Sequence, residues 1–208
     1  MLTKLVPNLL FRFDTQYGNR PATGQQPPNQ PFNFVRVEDR RFKLRHPVSV
    51  GGQSVSPTAA GNHINPERNF KWLPWILGKV AYVPLRTTTV VTGEMSGCWL
   101  IIFRLNATGQ VCFGHIGTFQ DSSHSDTKEA IQAWKIAVRS GQITPIRAFN
   151  PITVGPNTPK TFAAATAAQE LYTIGLDRVM APPGFPGAMP YKVIHVTHAV
   201  GVGPGTPY

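Results

Sequence analysis

The sequence predicts one α/β domain built on a β-rich sandwich, with helices covering its sheets. Three observations point there. The chain has 208 residues with 41% hydrophobic composition, enough to bury a sizeable core within the usual single-domain range. Its 19 glycines, 20 prolines and 14% charged residues describe many turns and loops rather than a helical bundle. Finally, segments rich in β-branched and aromatic residues recur between Gly or Pro boundaries.

In chain order, strands are expected at Phe32 to Val37, Lys79 to Val83, Thr87 to Val91 and Lys192 to Ala199. The firmest pair is a hairpin. Trp99-Leu100-Ile101-Ile102-Phe103-Arg104-Leu105 and Gln110 to Phe119 flank Asn106-Ala107-Thr108-Gly109, which supplies turn residues. If Leu105 faces Gln110, His115 lies opposite Leu100, Cys112 opposite Phe103 and Gly117 opposite Cys98. Because strand side chains alternate, Cys98 and Leu100 share a face, and Cys98 and His115 become diagonal neighbours, roughly 7 to 8 Å apart at Cβ or a little less. A slip of one residue would send His115 to the other face.

Two helices are expected to cover the sheets. Asp126-Thr127-Lys128-Glu129 resembles a capping box opening Ala130 to Arg139, with Ile131, Trp134 and Val138 on one stripe and Gly141 as the stop. Thr158-Pro159 would open a second, alanine-rich helix carrying Phe162, Leu171 and Tyr172 and closing near Gly175. The single domain spans 1–208, with a proline-rich loop at 20–31.

A cysteine and a histidine on two arms of one hairpin are the minimum equipment for thiolate chemistry. A free thiol, with pKa of about 8.5, is mostly protonated at neutral pH, and pairing with an imidazolium lowers that value. Gly97 and Gly117, lacking side chains, would let a substrate carbonyl and backbone N–H groups approach the sulfur. The alternative is an inert buried cysteine with a hydrogen-bonded histidine nearby.

The stretch Met95-Ser96-Gly97-Cys98 followed by His115-Ile116-Gly117-Thr118 resembles the catalytic core of the bacterial glutamine deamidase toxins, the cytotoxic necrotizing factor and Burkholderia lethal factor group. Their signature is Leu-Ser-Gly-Cys with a downstream histidine, and Thr92 matches a threonine of the lethal-factor site. The resemblance covers Thr87 to Thr118, with Met95 in place of leucine. It implies a sandwich of two mixed β-sheets flanked by helices. It also implies Cys98 as nucleophile, His115 as base, Thr92 as an accessory polar group, and Ser96, Gly97 and Gly117 at the oxyanion and substrate side. No metal or cofactor is expected. The implied activity is deamidation of a glutamine in a host protein, with transglutamination open to the same residues. The implied target is a translation-initiation RNA helicase or a Rho-type GTPase.

Charge supplies a rival. The chain carries a net +10, with pI near 10.1, and its densest basic run is Arg36, Arg40, Arg41, Lys43 and Arg45, interleaved with Phe34 and Phe42. Such a face can bind nucleic acid through phosphates and stacking, or steer an acidic protein partner. No nucleic-acid-binding motif accompanies it, and a strand would bury both phenylalanines. His195 and His198, three apart in a strand, point to opposite faces and are not expected to share a metal. Ser96 lacks the first glycine of a nucleophile elbow because Glu94 stands there, and Glu94 itself reads as a solvated loop carboxylate. Cys112 reads as a core residue too far along the ladder from Cys98 for a disulfide, which suits a reduced compartment. Lys4, Pro7 and Arg12 interrupt the apolar residues of Met1 to Phe13, so neither a secretory signal nor a membrane span is expected. The expectation is a monomer in the bacterial cytoplasm before release, then secreted or delivered to the host cell cytosol.

Overall fold

The computed structural model describes Leu2, Leu5, Pro7 and residues 10–13, 34–36, 41–45, 69–119, 121–154, 158–178, 180, 191–199 and 207–208. The proline-rich stretch at 20–31 lies outside them. The elements run β1 (Leu10–Phe13), β2 (Phe34–Arg36), β3 (Arg41–Arg45), β4 (Asn69–Trp72), β5 (Val80–Pro84), β6 (Val90–Met95), β7 (Trp99–Leu105) and β8 (Val111–Ile116). They continue with α1 (Ser125–Arg139), β9 (Ile143–Phe149), α2 (Pro151–Val154), β10 (Lys160–Ala165), β11 (Leu171–Arg178) and β12 (Tyr191–His198).

Two mixed sheets result, as expected. Among the described residues, one closes into a barrel in the order β1-β12-β11-β10-β6-β4-β3, and the other is a five-stranded sheet in the order β2-β5-β8-β7-β9. Each contains one parallel pair, β4 with β6 and β2 with β5, and is otherwise antiparallel. Closure of the barrel removes the sheet edges that would otherwise expose unpaired backbone groups.

Three apolar layers follow from strand alternation. Phe70, Trp72, Val91, Phe162, Ile174 and Val193 fill the barrel. Between the barrel wall and the five-stranded sheet lie Val90, Ala163, Ala165 and Leu171 from the one side and Leu100, Ile102 and Phe113 from the other. The far face of the sheet, with Ile101, Phe103, Cys112 and Ile116, packs against Ala130, Ala133, Trp134 and Ala137 of α1. Fully burying a Leu, Ile or Phe is worth about 1.5–3 kcal/mol, so the middle layer welds the two sheets together. Small alanines on β10 let the sheets approach where Phe113 and Phe149 need the room.

The β7–β8 hairpin has the register expected of it, with Leu100 opposite His115 and Phe103 opposite Cys112. Leu105 N–H donates to Gln110 O at 2.9 Å, closing a four-residue loop whose Gly109 takes φ +67°. Helix α1 forms where expected but opens earlier: its N-cap is His124, whose Nδ1 accepts from Asp126 N–H at 3.2 Å, so Asp126 sits in the first turn. Gly141, φ +69°, follows the Ser140 cap.

The second expected helix is not one. Lys160 to Ala165 and Leu171 to Arg178 are the antiparallel strands β10 and β11, joined by a tight turn in which Gln169 takes φ 63° and Thr166 N–H donates to Glu170 O at 2.9 Å. Alanine favours helices only weakly. Here Ala163 and Ala165 pack between sheets while Phe162 and Ala164 point into the barrel, a period-two burial that overrides propensity. The strands at β1, β3, β4 and β9 were not expected from sequence; β3 hides in the basic run, with Phe34 of the neighbouring β2 wholly buried as the alternation predicts. The side chains of Arg41–Arg45, and Arg40, lie outside the described residues, while Arg36 is exposed.

Gly117 tests the close approach of the β8 exit to the segment before β5. A Cβ there would stand 1.8 Å from the carbonyl oxygen of Ile76, which is backbone and cannot yield cheaply. Gly141 by contrast has open space but a left-handed φ of +69°. We expect Gly117→Ala to lose about 3 kcal/mol or more by overpacking, and Gly141→Ala only about 1 kcal/mol by backbone strain. Urea unfolding of the two variants measures both; equal losses would contradict the contact.

Candidate functional site

Thr92, Cys98 and His115 come from β6, the segment entering β7, and β8. Alternation places Val90 and Thr92 on the outer wall of the barrel, and Leu100, Phe113 and His115 on the facing side of the five-stranded sheet. Thr92 Oγ1 and His115 Nδ1 meet across the layer at 2.9 Å. This hydrogen bond connects residues from different sheets, and both are wholly buried. Cys98 belongs to the same layer.

The three expected site residues are thus gathered into one layer, but the expected thiol–imidazole contact is not formed. Cys98 Sγ donates instead to the carbonyl of Thr118 at 3.2 Å, and His115 Nε2, also buried, has no hydrogen-bond partner among the described residues. Nor does the thiol open onto a surface cleft, being only 3% exposed. The helix carrying Trp134 is not what covers it, since α1 lies on the opposite face of the sheet. The thiol lies instead in the apolar layer that holds Met95, Leu100 and Phe149.

Electrostatics follow from this enclosure. Burial holds the Cys98 thiol above its ordinary pKa, partly offset by hydrogen bonds from Thr118. Burial likewise pushes the His115 imidazole down to about 3. Both groups are therefore neutral in the resting protein. With Nδ1 bonded to Thr92, the tautomer in which Nδ1–H donates to Thr92 Oγ1 leaves a lone pair on Nε2, the form a general base requires.

The remaining expected positions divide. Gly97 has φ +124° and nothing within 4 Å of where its Cβ would stand, so its left-handed backbone rather than crowding is what asks for glycine there. Its carbonyl accepts from Asn150 Nδ2 at 3.0 Å, which ties the Ser-Gly-Cys turn to the start of α2. Ser96 is exposed. Gly117 does not serve access, because the Ile76 backbone fills the space beside it. Glu94 is no solvated loop carboxylate. It lies in β6 and bonds Lys160 Nζ at 2.6 Å, Arg178 Nη2 at 2.7 Å and Tyr191 Oη at 3.2 Å. Burial raises its carboxyl, yet Lys160 and Arg178 outweigh that and hold its pKa below the usual value.

Both cysteines are free and buried, Cys112 in the layer under α1. His195 is half-buried over Gly175, while His198 is exposed and stacks on Tyr172 at 4.8 Å. Sequence reasoning missed Asn150 at this site because it arrives from a separate segment with no local motif. Comparison with protein-family models, with curated proteins and with solved structures gives no match.

Two outcomes test this geometry. Thr92→Val should leave His115 Nδ1 buried without a partner and cost about 1–3 kcal/mol in urea unfolding. The low His115 pKa carries a pH dependence of definite sign: between about 3 and the ordinary value of 6.5 the unfolded chain binds the proton that the folded chain refuses, so stability falls as pH falls through that window. His115→Gln should flatten this dependence, read from urea midpoints across the window; an unchanged slope would locate the effect elsewhere.

Proposed function

We propose that this domain is a cysteine-dependent hydrolase acting on the side-chain amide of a glutamine in a partner protein. The reading rests above all on one observation, the hydrogen bond of 2.9 Å by which Thr92 holds His115 Nδ1 and leaves Nε2 free in the layer that also contains Cys98. A merely structural buried histidine would be expected to satisfy both ring nitrogens. The Met95-Ser96-Gly97-Cys98 and His115-Ile116-Gly117-Thr118 stretches add their resemblance to the deamidase toxins, whose targets would be a translation-initiation RNA helicase or a Rho-type GTPase.

The chemistry starts from neutral partners. The Cys98 thiol leaves the Thr118 carbonyl, gives its proton to His115 Nε2 and attacks the carboxamide carbon as that proton moves, so that no ion pair has to be maintained beforehand in a dry layer. Thr92 Oγ1 accepts from Nδ1–H throughout and steadies the imidazolium. Backbone N–H groups near Gly97 and Cys98 hold the oxygen as it gains charge. The tetrahedral intermediate collapses, the Nε2 proton departs with the amide nitrogen as ammonia, and a thioester remains on Cys98. Water, deprotonated by His115, adds to the thioester and releases glutamate and the thiol. An amine in place of that water gives transglutamination.

Incubating candidate host proteins with the domain and mapping peptides by mass spectrometry tests the reading, since deamidation through the thioester adds about one dalton at one glutamine. Cys98→Ser should abolish that gain and the accompanying ammonia while keeping the fold. Activity within a few-fold of wild type in Cys98→Ser would remove the mechanism. If instead the basic run is the working surface, neutralising Arg40, Arg41, Lys43 and Arg45 should weaken RNA binding and flatten its salt dependence with Cys98→Ser silent.

A further inference from the structure

We propose that Asn150 is a positioning residue that orients the Cys98 backbone N–H as the oxyanion donor of this site. The role deepens the hydrolase reading above and rests on it for its chemistry, although the orientation of the peptide can be measured without any reaction.

The side-chain amide of Asn150 is fixed at both ends. Its Oδ1 accepts from Ile152 N–H at 3.1 Å, and its Nδ2 donates to Gly97 O at 3.0 Å. Exchanging oxygen and nitrogen would set donor against donor and acceptor against acceptor, so the partners define which end faces which. The residue is held by its backbone as well. Thr153 Oγ1 donates to Asn150 O at 2.9 Å, and Asn150 directly follows Phe149, which pairs with Leu100 across β9 and β7. Asn150 therefore reaches the Ser96-Gly97-Cys98 turn from the end of the neighbouring strand.

That bond acts on Cys98 through the peptide it touches. Among the described residues the only cis peptide bond is Gly93–Glu94, so the Gly97–Cys98 peptide is trans and its C=O and N–H point in opposite directions. Holding Gly97 O thus sets the direction of Cys98 N–H. A hydrogen bond accepted by the carbonyl also polarises the same amide and strengthens its N–H as a donor. Cys98 N–H leans toward its own sulfur, and no backbone carbonyl among the described residues accepts from it, although the residue is only 3% exposed. Buried N–H groups without such an acceptor are rare. In acyl transfer the nucleophile's own N–H serves as an oxyanion donor, because it stands beside the atom that forms the new bond. An N–H left without a carbonyl at rest is therefore ready for the carboxamide oxygen as that oxygen gains charge.

Labelling cysteine alone with the NMR-active nitrogen isotope gives the full chain two amide signals, from Cys98 and Cys112. Asn150→Asp keeps the size and the acceptor for Ile152 N–H but turns an oxygen toward Gly97 O, Asn150→Ala removes both bonds, and Thr153→Val removes only the Thr153 bond. Both Asn150 variants should move the Cys98 signal and leave that of Cys112, buried under α1, in place, while Thr153→Val should move neither. A Cys98 signal unmoved in both Asn150 variants, or moved as far by Thr153→Val, overturns the role. In the glutamine mass assay, with the two host proteins named above as substrates, both Asn150 variants should lose about tenfold to a hundredfold in kcat with KM within about twofold, because the oxyanion forms only after binding. A loss confined to KM would make Asn150 a structural tie and overturn the role. A moved Cys98 signal without any glutamine gain in the wild type keeps the peptide orientation and removes the hydrolase, whereas a wild-type gain with kcat unaltered in both Asn150 variants removes the oxyanion role alone.

Discussion

The pairing of Trp99–Leu105 with Val111–Ile116 decides what chemistry each layer of this protein contains. Leu100 opposite His115 puts the imidazole, Phe113 and Ile102 between the two sheets, while Phe103 opposite Cys112 puts the second thiol under α1. A slip of one residue would exchange these sets, pressing a polar ring against Trp134 and withdrawing the partner of Thr92. Gly114 helps hold the register, since the space beside it is filled by Phe103 and Ile101 from the facing strand, at 2.9 Å and 3.0 Å from where a Cβ would stand. Site geometry and core packing are therefore one constraint.

That constraint brings a cost. A buried imidazole with one ring nitrogen unsatisfied forfeits a hydrogen bond that water would provide, of the order of 1–3 kcal/mol. The Thr92 hydroxyl compensates only the other nitrogen. The same dry layer penalises the charged forms of both Cys98 and His115, which is why the thiol rests on a carbonyl instead of forming an ion pair. Proteins keep local costs of this type where a group must be ready to accept a proton at one moment and be neutral at others.

The hairpin and the site layer were legible because the information is local: two apolar runs, a four-residue turn with Gly109, and alternation. Helix α1 was legible for the same reason, through its spacing and Gly141. Residues 160–178 were not, because Ala163, Ala164 and Ala165 fit a helix by propensity and the reason they form a strand lies elsewhere, in the need of β6 and β11 for a partner with little bulk between the sheets. The barrel was invisible for a related reason. Its closure joins β1 to β12 at the far end of the chain and to β3, and such pairings leave no mark on any one segment. At the site, Cys98, His115 and Thr92 could be placed together from sequence, but not the resting partner of the sulfur, which is the Thr118 carbonyl at the exit of β8.

The resting hydrogen bonds set this thiol and imidazole apart. In an open cysteine enzyme the imidazole and thiol meet at rest and the substrate finds a formed thiolate. Here the sulfur is held by the Thr118 carbonyl and the imidazole by Thr92. Moving the thiol proton from that carbonyl to the imidazole would break a hydrogen bond and create two charges inside a dry layer, a cost that burial makes larger than at an exposed thiol.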